Sequence, residues 1–191
     1  NEKKIIYFGV PILAVALLAI FYYFGSQIAP AISGVDKNLI AGLSATRSYS
    51  NQDFKVSLQY PSSWEPVADK GGFKGKPLYF RGSNGFFGID ALGTDAGVKI
   101  SIEDVIKNLI SDKSNPYGTS PSITKPDTGN IESRLITPSA DQSPEKNGEA
   151  AFIVRYPTPV TIGANAFLFF MLYADAAHLG EIASSLQLLN F

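Results

Sequence analysis

"DFKVSLQYPSSWEPV", residues Asp53 to Val67, decides the fold. Phe54, Val56, Leu58 and Tyr60 alternate with Lys55, Ser57 and Gln59. A period of two predicts a strand with one buried face. Pro61 has no N–H to give a ladder and restricts Tyr60 before it, so the strand stops there. Trp64, the single Trp of the chain, follows three residues later. A turn at Pro61 folds the indole back over the end of the sheet. Tyr60, Pro61 and Trp64 are therefore expected to act as a structural motif that closes the apolar layer. Burial of such an aromatic contributes about 2–3 kcal/mol.

The pattern continues outward. Pro77–Gly82 and Phe86–Gly93 read as two strands joined by Gly82-Ser83-Asn84-Gly85, a hairpin signal. Ser101–Asp112 reads as a helix. Ser101 and Asp104 stand at capping-box spacing, and Ile102, Val105, Ile106, Leu109 and Ile110 form one apolar stripe. Lys113–Asn130 is a polar loop with a short strand at Ser122–Lys125, and Ile131–Pro138 is strand-like. A second loop, Ser139–Glu149, leads to a strand pair at Ala150–Pro157 and Ala166–Ala174. The latter is apolar at nearly every position, which predicts a central strand covered on both faces. Asp175 is placed to cap a last helix carrying Leu179, Ile182, Leu186 and Leu189. Antiparallel strands with two helices make an α+β domain.

The domain is expected over residues 53–191, behind a linker at residues 25–52 and an anchor at residues 1–24. The block Ile5–Phe24 holds no charged side chain. About 20 helical residues span roughly 30 Å, the hydrocarbon thickness of a bilayer. It also exceeds the apolar core of a signal peptide. Lys3 and Lys4 precede it, and the next positive charge is Lys37. The positive-inside rule then sets the N-terminus in the cytoplasm and the domain outside, on the periplasmic, extracellular or lumenal side. The competing reading is a signal peptide cleaved near Ala29-Pro30-Ala31, giving a secreted ligand-binding domain. With 16 basic and 17 acidic residues the chain carries a formal net charge of −1. That balance leaves no footprint for nucleic acid. The chain has no cysteine, which excludes disulfides, thiolate metal sites and cysteine nucleophiles.

The strand, Tyr60-Pro61, two serines and Trp64 resemble the opening of the PsbP-like domains, which share a fold with the nuclear-import factor Mog1. The long apolar strand and amphipathic helix over Ala166–Leu189 are similar to that family's ending. The resemblance implies an α+β domain of antiparallel strands and helices, and a non-enzymatic accessory or binding role. The best-known members attach to the lumenal side of photosystem II. The N-terminal span departs from that photosystem pattern. No family position for calcium or manganese is matched here.

Chemistry is sparse. His178 is the single histidine, so a multi-histidine zinc site is excluded. Asp175 and His178 stand three apart and would serve an envelope hydrolase as orienter and base, if a hydroxyl joined them. No G-x-S-x-G stretch supplies one. Asp90, Asp127, Asp141, Glu145 and Asp175 form no metal-ligand spacing. Gly71–Pro77 lacks the ending of a phosphate loop. No catalytic residue, cofactor or metal ligand is assigned. Arg81, Arg134 and Arg155 are expected on the outward face of a sheet or along a shallow anionic site. With Asp175, His178 and the two long loops they are the expected interaction residues. The expected partners are the bilayer, through residues 5–24, and the subunits of a membrane protein complex.

Overall fold

The computed structural model describes residues 45–70, 72–94, 99–112 and 114–189. The expected anchor, and the expected linker as far as residue 44, lie outside the described residues. Among the described residues no helix is long and apolar enough to cross a membrane.

In chain order the elements are β1 (Thr46–Asn51), β2 (Val56–Pro61), β3 (Glu65–Pro66), β4 (Gly72–Phe73), β5 (Lys76–Pro77), β6 (Tyr79–Arg81), β7 (Phe86–Thr94), α1 (Ile102–Ile110), β8 (Ser122–Thr124), β9 (Ser133–Thr137), β10 (Glu149–Ile162), β11 (Asn165–Asp175), α2 (Ala176–Ser184) and β12 (Gln187–Leu188). Seven strands form one antiparallel sheet in the order β3-β6-β7-β11-β10-β9-β8. A smaller sheet, β1-β2-β12, and the ribbon β4-β5 complete the strands. The expected α+β class is the observed one.

Strand β11 lies at the middle of the large sheet, between β7 and β10. Its even positions Phe170, Leu172 and Ala174 enter one core with Phe87, Ile89, Phe152 and Val154. Its odd positions Phe169 and Met171 enter another with Ile136, Ile153 and α1. A strand covered on both faces has no side for polar residues, which is why it reads as a continuous apolar run. The first core is closed by β2, whose Val56, Leu58 and Tyr60 are buried, and by Leu179 and Ile182 of α2. The second is closed by Ile102, Val105 and Ile106 of α1 and by Tyr117. The capping box of α1 forms as expected. Ser101 Oγ accepts from the Asp104 N–H at 3.1 Å, and the Asp104 carboxylate accepts from the Ser101 N–H at 3.1 Å.

Three boundaries differ from expectation. Thr46–Asn51, placed in the linker, is a strand paired along its length with β2. Asn51 then folds the chain over. It donates from Nδ2 to the Tyr49 hydroxyl at 2.9 Å, and its Oδ1 accepts from the Asp53 and Phe54 N–H groups. Strand β10 runs past Pro157 to Ile162. Its register against β11 shifts between Arg155 and Val160, so Pro157 and Pro159 fall where no ladder donor is required. The last helix ends at Ser184, and Leu186 and Leu189 lie beyond it. The chain instead turns into β12, which pairs with β2.

Candidate functional site

The single Trp sits where the turn at Pro61 was expected to send it. Trp64 is fully buried, 6.2 Å from Phe87 in a stacked arrangement and edge-on to His178 at 5.0 Å. Its Nε1 donates to Asn84 Oδ1 at 2.9 Å, which satisfies the one polar atom of the indole. The hairpin of β6 and β7 can approach it because Gly82 and Gly85 lack a Cβ. A Cβ on Gly85 would lie 2.6 Å from Trp64 Cζ2 and 2.9 Å from His178 Nδ1.

Asp175 and His178 meet at this corner. Asp175 holds the N-cap position of α2, but its side chain makes no cap bond, contrary to expectation. One carboxylate oxygen accepts from the Phe86 N–H at 3.1 Å, and the other lies 2.6 Å from His178 Nδ1. Both oxygens are thereby committed to joining α2 to the start of β7. Among the described residues His178 has no hydroxyl hydrogen-bond partner. The acid–imidazole pair exists, but the third member that a hydrolase needs is not beside it.

The three arginines do not converge. Arg134 on β9 pairs with Glu103 of α1. Arg155 on β10 pairs with Glu132, donates from Nη2 to the Ile100 carbonyl at 3.1 Å, and lays its guanidinium 4.3 Å from the Phe169 ring centroid. These two tie α1 and its flanking chain to the sheet. Arg81 is exposed and has no ion-pair or hydrogen-bond partner among the described residues.

Arg81 lines a cleft of about 250 Å³ with Lys70, Tyr79, Lys146, Glu149 and Tyr173. The Tyr79 ring stacks on Phe86 at 5.7 Å and on Tyr173 at 6.3 Å, each inclined by 28°, which makes an aromatic floor. Gly88 makes that floor possible, since a Cβ there would lie 2.6 Å from Tyr173 Cε2. Burial raises the Tyr79 and Tyr173 phenols above their ordinary value, Tyr173 the further. Burial also raises the Glu149 carboxyl, against the pull of Lys146 at 4.0 Å.

Lys146 and Glu149 also line a second cleft of about 430 Å³, beside α1. Its walls include Leu92, Val105, Leu109, Tyr117 and Met171. The two clefts share the Lys146–Glu149 wall, so a polar and an apolar compartment adjoin on the α1 face of the sheet. A third cleft of about 380 Å³ lies between α2 and β9, lined by Leu135, Phe152, Leu179 and Ala183 with Pro126–Thr128 at its rim. Asp141, in the second loop, is held down to about 2 by hydrogen bonds from Ser139 and Thr119, so it ties the two long loops together. No three groups of His, Asp or Glu among the described residues are placed to hold a metal ion.

The sequence points to Arg81 and, through the loop Ser139–Glu149, to Lys146 and Glu149, but not to Lys70, Tyr79 and Tyr173. These residues come from a 3-10 turn, β6, a second 3-10 turn, β10 and β11, and no local spacing connects them. No family model and no curated protein matches the sequence. Among solved structures, the chain is similar to cyanobacterial PsbP (CyanoP) from Synechocystis sp. PCC 6803, determined in solution. The identity is 14%, over 77% of this chain and 94% of that one, with a TM-score of 0.43. At that level the likeness assigns no function.

Proposed function

We propose that this chain is a non-enzymatic binding or assembly subunit of a membrane protein complex. Residues 5–24 anchor it once with the N-terminus in the cytoplasm, and the α+β domain works outside. The observation that carries the reading is the α1 face, where an exposed unpaired arginine, lysines and tyrosines adjoin an apolar groove. A surface with apolar and polar compartments side by side suits a protein partner. The one acid–imidazole pair is engaged in joining α2 to β7. An accessory role is also what the family resemblance of Asp53–Val67 implies. The anchor confines the domain near its partner and raises their effective concentration.

The test is mild detergent extraction of native membranes, a native gel and mass spectrometry of the band. Migration in a large defined complex supports the reading. Release into the soluble fraction without residues 1–31 overturns it in favour of a secreted ligand-binding domain. Hydrolysis of an ester or amide panel that His178→Ala abolishes, in a protein that still folds, would favour the envelope hydrolase.

A further inference from the structure

We infer that the joined clefts of the α1 face receive an extended segment of a protein partner, with an acidic side chain at Arg81 and apolar side chains beside α1. This rests on the binding-subunit reading and names what is bound.

The charges favour an acidic group at the Arg81 end. Lys70, Arg81 and Lys146 face the cleft, against Glu145 and Glu149. Lys146 is the nearest cation to Glu149, at 4.0 Å. Glu145 is exposed on its 3-10 turn, where water screens it. Lys70 and Arg81 remain without partners among the described residues, and a guanidinium takes a carboxylate through two parallel N–H donors. The Tyr79 and Tyr173 hydroxyls make no hydrogen bond among the described residues, and their rings are fixed by stacking and by Gly88. Two phenol donors held in place cost little ordering on binding.

The second compartment sets the rest of the segment. At about 430 Å³, walled by Leu92, Leu109 and Met171 with Asn108, Asp112 and Ser114 also lining it, it is large enough for two or three apolar side chains. Lys146 and Glu149 line both compartments, which places the two within reach of one extended segment. A lone small anion would leave the apolar compartment empty, and a purely apolar segment would leave Arg81 unpaired.

The full 191-residue chain, isotope-labelled, is titrated with capped synthetic peptides and followed by NMR. The probes are two glutamates followed by leucines, the same peptide with glutamines, and inorganic phosphate. The acidic peptide is expected to shift the Arg81 side-chain resonance together with Leu109 and Met171. The glutamine peptide and the Arg81→Gln variant are each expected to bind about tenfold more weakly, the scale of one charge-assisted hydrogen-bond pair. Equal binding of both peptides overturns the inference. Phosphate that saturates the Arg81 signal at lower concentration than the peptide overturns it in favour of a small oxyanion site. If Arg81→Gln still assembles into the native-membrane complex as tightly as the parent, this inference fails while the binding-subunit reading stands. If the parent forms no complex, the reading itself fails.

Discussion

The two faces of the large sheet are made by alternate residues of the same strands, yet they are finished differently. Toward the small sheet, Phe87, Phe152, Phe170 and Leu172 meet β2, Trp64 and α2 in a layer rich in aromatic rings. Phe80 and Phe87 stack at 4.7 Å, with Tyr49 and Tyr60 against them. Toward α1, one nine-residue helix covers Ile153, Phe169 and Met171 and leaves the rest to clefts and to paired arginines. The first face is filled with rings and leaves a cleft between α2 and β9. The other is covered only as far as stability requires, and its remainder carries the cleft-lining cations and phenols.

That contrast is open to breakage. Trp64→Ala removes the largest side chain of the aromatic face and should cost about 3–5 kcal/mol in denaturant unfolding. On the α1 face, Ile106→Ala should cost about 2 kcal/mol, the lower end for its class, because an adjoining open cleft lets neighbours relax. Equal losses would show that the two faces are sealed alike. Ser101→Ala deletes one half of the capping box and should cost about 1 kcal/mol, with α1 amides exchanging faster and the Trp64 fluorescence unchanged.

The smallest effect sharpens the contrast by pH. Burial raises the Glu149 carboxyl above its ordinary 4.5, so the native state holds that proton more tightly than the unfolded chain. Stability therefore falls as pH rises through the ordinary value toward the raised one. Glu149→Gln carries no such proton. The parent should lose stability relative to the variant above pH 4.5, and the two curves should run parallel below it. Parallel curves throughout would mean that Lys146 fully compensates the buried charge.

The fold was legible where one residue's environment is set by its sequence neighbours. Tyr60-Pro61 and Trp64 announced the closing plug, Gly82–Gly85 the hairpin, and Ser101 with Asp104 the start of α1. Strand β1 was missed because it buries only Tyr49 and Asn51, so four of its six side chains read as solvent-exposed polar chain. The length of the last helix was overread because Leu186 and Leu189 keep helical spacing, while the chain beyond Ser184 packs through Leu186 and Leu188 from a non-helical segment. At the site, Arg81 was visible as a charge in a strand. Lys146 and Glu149 lay in a loop marked for interaction, but Lys70, Tyr79 and Tyr173 were not visible, since separate segments of the chain converge there and only the tertiary fold sets their distances.

The pairing of β12 with β2 has a consequence for how this protein is made. Gln59 donates its N–H to Ser185 Oγ at 2.8 Å, across 126 positions of sequence. The inner neighbour of β7 (Phe86–Thr94) is β11 (Asn165–Asp175), so that side of β7 stays unpaired until β11 has been synthesised. Contacts at such separation form late and slowly. The nascent chain therefore carries an unpaired β7 edge and an unroofed aromatic layer until β11 and α2 have been made, and an open edge of that kind favours pairing with other chains.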